Sequence, residues 1–281
     1  MKSINNKTFD NERALYGLED SLVKECRFEG KGDGESALKE SRNLEVSNSF
    51  FALRYPFWHC STLKISNIEM TPTCRAAFWY CLDAEISSST LHGIKALREC
   101  QRFSLNNCEI VSPEFGWRCK DISINNVTLK SEYSFFETKK IVANNLTFEG
   151  KYSFQYVEEA TFTNCVFNTK DAFWHSKGVV VKDSEVRGEY LGWYSEGLTL
   201  INCHIKGTQP LCYCQGLKLV NCTMEDCDLS FEYSDVDAEI KGHIDSIKNP
   251  INGRIIADSI GEVIQKDSKY PLKAHIEIRK S

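Results

Sequence analysis

One row of side chains, recurring at a constant step along the chain, carries groups from which acid–base chemistry could be built: Arg118, Glu137, Tyr156, His175 and Tyr194. A carboxylate held ionised by a guanidinium, next to a phenol and an imidazole, is the kind of set that general acid–base catalysis uses. Glu137, His175, Tyr156 and Arg118 are therefore the candidate catalytic residues. The row extends to His59, Tyr80, Glu99, Tyr213 and Glu232. His59, Tyr80, Tyr194 and Tyr213, with the nearby Phe154, Asp171, Phe173, Trp174 and Trp193, are candidate ligand contacts. Aromatic faces can stack on sugar rings, while polar groups bind hydroxyls. All of this requires residues distant in the chain to be neighbours in space, and only a repeating element does that.

The chain repeats. "LEVSNSFF" from Leu44 is followed by "LKISNIEM" from Leu63, and "FSLNNCEI" from Phe103 is followed at the same step by copies from Ile122, Ile141, Ala160, Val179, Leu198 and Leu217. The interval between Leu63 and Phe103 holds a degenerate copy, "AEISSSTL" from Ala84, and another, "SLVKECRF", begins at Ser21. Apart from these two degenerate copies, each block reads apolar, any, apolar, any, Asn or Asp, small or apolar, any, apolar. Alternation of period two predicts a strand. The Asn predicts a bend, because Asn tolerates a left-handed backbone. Asn48, Asn67, Asn107, Asn126, Asn145, Asn164, Asp183, Asn202 and Asn221 should stack as a corner ladder with amide hydrogen bonds between rungs.

These features predict an all-β fold, a single-stranded right-handed parallel β-helix of about ten coils. The expected organisation is an N-terminal cap over 1–20, the helix over 21–245 and a C-terminal β cap over 246–281. A leucine-rich repeat has an overlapping period. Its Asn follows the last strand leucine by three residues, however, where the gap here is two.

The return half of each coil aligns as well: "RYPFWHC", "RAAFWYC", "KDAFWHS" and "EYLGWYS" are examples. A row of small residues (Cys60, Cys81, Cys100, Cys119, Thr138, Val157, Ser176, Ser195, Cys214) should be buried. Strict alternation puts the Trp row, including Trp58, Trp79, Trp174 and Trp193, inside and the Phe row outside. A bulge would exchange the two. The ionisable row faces outward in either register, since a buried row of charges would carry a large desolvation cost. Asp171, His175 and Ser176 look like a local catalytic set in "DAFWHSKG", but Asp171 and His175 stand about 13 Å apart on a strand. The partners of His175 should be Tyr156 and Tyr194, on neighbouring rungs.

Thirteen cysteines invite a metal reading. Four on successive rungs span roughly 14 Å, however, and tetrahedral zinc needs every sulfur about 2.3 Å from one point. No metal and no cofactor are expected. An odd cysteine count without a secretion-type start also argues against a disulfide framework. The opening "MKSINNKTFDNERALYGLED" is polar and mixed in charge, so a cytoplasmic protein is expected. A net charge of −5 argues against a nucleic-acid partner. No apolar run is long enough to span a bilayer, so no membrane partner is expected.

The motifs "LRYPFWH", "GIKALREC", "GKYSFQY", "TKDAFWHSK", "GEYLGWYS" and "GTQPLCYC" resemble an uncharacterised bacterial family, a domain of unknown function with a pectate-lyase-like right-handed parallel β-helix. The resemblance covers nearly the whole chain and brings no catalytic residues with it. The wider superfamily implies polysaccharide chemistry on one sheet, although the three-Asp set of polygalacturonases and the acidic calcium site of pectate lyases have no match here. The expected partner is an oligosaccharide or glycoconjugate bound along the aromatic and ionisable row. The alternative is a non-catalytic interaction scaffold or a self-associating homo-oligomer.

Overall fold

The computed structural model describes residues 2–279 and shows a right-handed parallel β-helix of about 15 turns with a spacing of about 19 residues. The expectation of about ten coils is too low. Lys2–Asn5 pairs in parallel with the strand Glu19–Lys24, and Asn252–Ala257 and His275–Ile278 carry the parallel ladder on at the other end of the chain. The period fades towards the ends because the coils change length. Ser21 is in register with Leu44, a longer step than the common one, and Asp235 with Asn252, a shorter one.

The chain divides into two compact units, Met1–Val142 and Ala143–Ser281. In the first, Leu44, Leu63, Ala84, Phe103 and Ile122 stand in register on successive rungs, and all are buried. In the second, Val181, Leu200 and Leu219 do the same. Burying one such branched or aromatic side chain contributes about 1.5–3 kcal/mol, so each coil is stabilised chiefly by the neighbours it stacks on.

Corners are made by residues in the left-handed region. Asn48, Asn67, Asn107 and Asn126 in the first unit have φ of 50–54°, and Asn164, Asp183, Asn202 and Asn221 in the second have φ of 50–56°. The amide ladder forms as expected. Asn126 donates to Asn107 Oδ1 at 3.2 Å, Asn202 to Asp183 Oδ1 at 2.8 Å and Asn221 to Asn202 Oδ1 at 2.7 Å.

A second left-handed corner settles the register of the return segment. His59, Tyr80, Arg118 and Glu137, and in the other unit Tyr156, His175, Tyr194 and Tyr213, all have φ between 53° and 60°. A left-handed residue breaks the alternation, so the residue two before it and the residue after it both face the core. Strict alternation is thus overturned: Phe57, Phe78, Phe135, Phe154 and Phe173 are buried, and the Trp row is half-buried beside them.

The small row after this corner is buried, and some of its polar atoms have a use. Several Cys, Ser and Thr side chains there accept backbone N–H groups from the coil before, whereas the buried Ser176 Oγ has no hydrogen-bond partner among the described residues. Cys100 Sγ accepts from Cys81 N, Cys119 Sγ from Cys100 N and Thr138 Oγ1 from Cys119 N, at 3.4, 3.4 and 3.1 Å. Ser234 Oγ accepts from Cys214 N at 2.9 Å. The thiols also donate to carbonyls, as Cys60 does to Leu38 and Cys81 to Phe57. All thirteen cysteines are free and buried.

Candidate ligand-binding site

The outward row is where the expected site residues lie. In the first unit the rings of His59 and Tyr80 stack at 4.8 Å, and Arg118 Nε donates to Glu137 Oε2 at 2.8 Å with both side chains about half exposed. In the second unit Tyr156 stacks on His175 at 4.8 Å, His175 on Tyr194 at 5.0 Å, and Tyr194 on Tyr213 at 4.8 Å, with interplanar angles of 8°, 7° and 12°. The partners of His175 are therefore Tyr156 and Tyr194. Arg118 with Glu137 and Tyr156 with His175 form two pairs, each within one unit.

Several expected ligand contacts are placed elsewhere. Phe154 and Phe173 are 0% and 2% exposed, stacked on each other in the core. Their expected place on a ligand face is corrected by the left-handed corner that turns them inward. Asp171 is also buried, and burial raises its carboxyl above the ordinary aspartate range, with Glu189 pushing the same way and Lys170 opposing. Trp174 and Trp193 stack at 5.3 Å, and their indole N–H groups are committed: Trp174 Nε1 donates to Tyr190 O at 2.6 Å and Trp193 Nε1 to Gln209 O at 2.8 Å. Trp58, Trp79 and Trp117 do likewise in the first unit. Gln155, standing in the same row, uses its side-chain amide on Asp171 O at 3.1 Å. The five tryptophans and Gln155 are thus staples from their own coils to the backbone of the next.

Face-to-face stacking along the row limits sugar recognition there, because the inner rings already cover one another's faces. The pattern changes at one end. The coil after Tyr213 is a residue longer, so that Cys214 N meets Ser234, 20 residues on, where other coils use 19. Tyr233, with φ of 52°, takes the outward corner in place of Glu232. Its ring lies 6.0 Å from Tyr213 but is tilted by 47°, and Tyr270 meets it edge-on at 5.2 Å and 83°. Tyr213, Tyr233 and Tyr270, with Gln215, Asp235 and Ile251, surround a cavity of about 250 Å³. Asn252 Nδ2 donates to Asp235 Oδ1 at 3.1 Å and fixes the carboxylate. Beside the cavity, the Tyr213 hydroxyl donates to Glu232 Oε2 at 3.5 Å, and Lys248 Nζ lies 2.9 Å from Glu232 Oε1. Burial, with Glu232 adding to it, pushes the Tyr213 phenol up to about 12.

Sequence reading missed Tyr233, Asp235 and Tyr270. The one available signal was the longer step from "LCYC" to "FEYS", which moves Tyr233 rather than Glu232 into line with Tyr213. A separate groove of about 590 Å³ in the first unit is lined by Asn43, Thr62, Asp83, Arg102 and Asp121 among others. It holds none of the expected residues. Asp83 and Arg102 there form a two-contact ion pair.

Among solved structures, the chain is similar to HetL, a pentapeptide repeat protein from the cyanobacterium Nostoc sp. strain PCC 7120, with 10% identity and a TM-score of 0.32 over 78% of this chain and 90% of that one. It is also similar to the A-module of the Azotobacter vinelandii mannuronan C-5 epimerase AlgE4, with 9% identity and a TM-score of 0.31 over 98% and 89%. The catalytic domain of a GH87 α-1,3-glucanase gives 10% identity and a TM-score of 0.29 over 99% and 63%. A search of curated proteins gave no match. Residues 2–278 match the family described as "Protein of unknown function (DUF3737)", and the chain belongs to that family.

Proposed function

We propose that this member of the DUF3737 family is a carbohydrate-binding β-helix that holds a sugar unit of an oligosaccharide or glycoconjugate in the cavity among Tyr213, Tyr233 and Tyr270. The observation that carries the reading is the change in ring geometry at that point. Where the tyrosines stop stacking in parallel they enclose a cavity, and a fixed carboxylate and a side-chain amide stand among them. Ligand pockets commonly combine apolar or aromatic walls with a few convergent polar groups. Phenol rings pack against the C–H face of a pyranose, while Asp235 and Gln215 bind its hydroxyls.

The reading is one of recognition. The pairs Arg118–Glu137 and Tyr156–His175 are exposed steps of the row and line neither wall of this cavity. A glycan array followed by titration calorimetry on the best hit tests it. Tyr270→Ala and Asp235→Asn should each weaken binding about tenfold or more, and Tyr156→Ala should leave it unchanged. Absence of any glycan hit would sink the proposal. So would scattering measurements showing a dimer in which Tyr270 is covered, which would favour self-association.

A further inference from the structure

The first unit contains a local irregularity that the repeat does not require. The coil between Leu63 and Ala84 is longer than those on either side of it, and the surplus forms a 3-10 turn, Pro72–Cys74. The turn runs into Arg75 at φ 35°, ψ 147°, followed by Ala76 at φ 32°. Tyr55 and Lys95, in register with Ala76 in the coils on either side, have ordinary left-handed φ of 57° and 58°, so Arg75 is the added residue. Arg75 thus occupies a conformation that a residue with a side chain seldom adopts, and such strain persists only where the surroundings impose it. Here they do so from both sides. Ala76 N donates to Ile94 O at 2.7 Å, and Ala76 O accepts from Trp58 Nε1 at 2.8 Å. Gly93, in the next coil, leaves room: a Cβ there would lie 3.1 Å from Arg75 N and 3.3 Å from Pro72 O.

The strained segment forms one wall of a cavity of about 200 Å³ lined by Tyr55, Trp58, Arg75, Ala76, Trp79, Ile94 and Lys95. Its walls are indole, phenol and aliphatic surface, and it has two cationic side chains. Lys95 faces Glu114 at 3.7 Å, whereas the exposed Arg75 guanidinium makes no ion pair among the described residues. The Trp58 and Trp79 N–H groups are already bonded to backbone carbonyls, so the cavity's free polar capacity is that of Arg75 and the Tyr55 hydroxyl.

We propose that this cavity is a binding site for a small ring-shaped carboxylate, its ring against the apolar wall and its carboxylate on the Arg75 guanidinium. A planar guanidinium matches a carboxylate through two parallel N–H donors. Among the lining residues Arg75 is the one cation without an ion pair, and one such charge suits a monoanion better than a phosphate dianion. The aromatic wall selects a ring over acetate. The 3-10 turn and the bonds made by Ala76 set the Arg75 backbone in the cavity wall, which brings its guanidinium within reach of a carboxylate bound there.

The test is titration of the intact protein with sodium benzoate and with cyclohexanecarboxylate, followed by the indole N–H resonances of Trp58 and Trp79. Benzyl alcohol and inorganic phosphate serve as controls. Saturable shifts with the carboxylates but not the controls are expected. Glycine is free in the backbone region Arg75 occupies. Arg75→Gly should therefore melt at or above the wild-type temperature while weakening benzoate about tenfold or more. Indole resonances unmoved by either carboxylate would overturn the proposal. So would equal binding by Arg75→Gly, or shifts with phosphate or benzyl alcohol that match those with benzoate.

Discussion

At the scale of single residues, the same side-chain type serves two purposes in this chain. The tryptophans look like sugar platforms in the sequence and act as staples in the structure, because each indole N–H reaches a backbone carbonyl one coil on. Trp174→Phe keeps a ring against Trp193 but leaves Tyr190 O without its donor. The loss should be about 1–3 kcal/mol, since an unsatisfied half-buried carbonyl costs more than the bond was worth. A lowered urea midpoint measures it, and His175→Phe, which keeps the exposed stack, should move the midpoint much less. Tyr213 makes a pH prediction. Its phenol is raised to about 12 from an ordinary value of 10, so above pH 10 the unfolded chain releases that proton while the folded chain keeps it. Folding stability therefore falls as pH rises from about 10 towards about 12. Tyr213→Phe should flatten that part of the curve of melting temperature against pH relative to wild type.

At the scale of the coil, the cysteines are explained by position. The slot after the left-handed corner needs a side chain small enough to be buried; Cys119, Thr138 and Ser234 also accept the N–H of the coil before, while Val157 fills the slot by size alone. Burial raises Cys60, Cys74 and Cys227 to about 12 and Cys214 to about 11, so these four hold little thiolate at neutral pH. A thiol-specific chromogenic disulfide should label the native protein slowly and all thirteen cysteines rapidly in denaturant; fast labelling without denaturant would contradict this packing. Much of this element was legible in advance. The Asn corner, the buried small row and the outward His175 row all follow from a fixed period and the cost of burying charge. The orientation of the Phe and Trp rows was not legible, because a left-handed residue at His59 or His175 is not signalled by residue type. Only the backbone shows that alternation fails there, carrying Phe173 inward. The tyrosine cavity was hidden for a related reason: one added residue before Ser234 shifts which side chain reaches the corner.

At the scale of the whole molecule, the stability of stacked coils is close to a sum of neighbouring interfaces. Removal of residues 177–195, one whole step in register from Lys177 to Glu196, should give a folded chain with unchanged strand content by circular dichroism and a lower melting temperature. Removal of 177–194, one residue short of a step, reverses the inward and outward faces of the strands that follow and should not fold cooperatively. The tower of Tyr156, His175, Tyr194 and Tyr213 gives this packing an optical reading. Within it the Tyr194 and Tyr213 phenols, held nearly parallel at 4.8 Å, couple their electronic transitions, whereas the imidazole of His175 does not absorb in the near ultraviolet. The near-ultraviolet dichroism of the native chain therefore contains a term set by the pitch of the coils, and any loosening of that pitch shows in the spectrum before the strands themselves come apart.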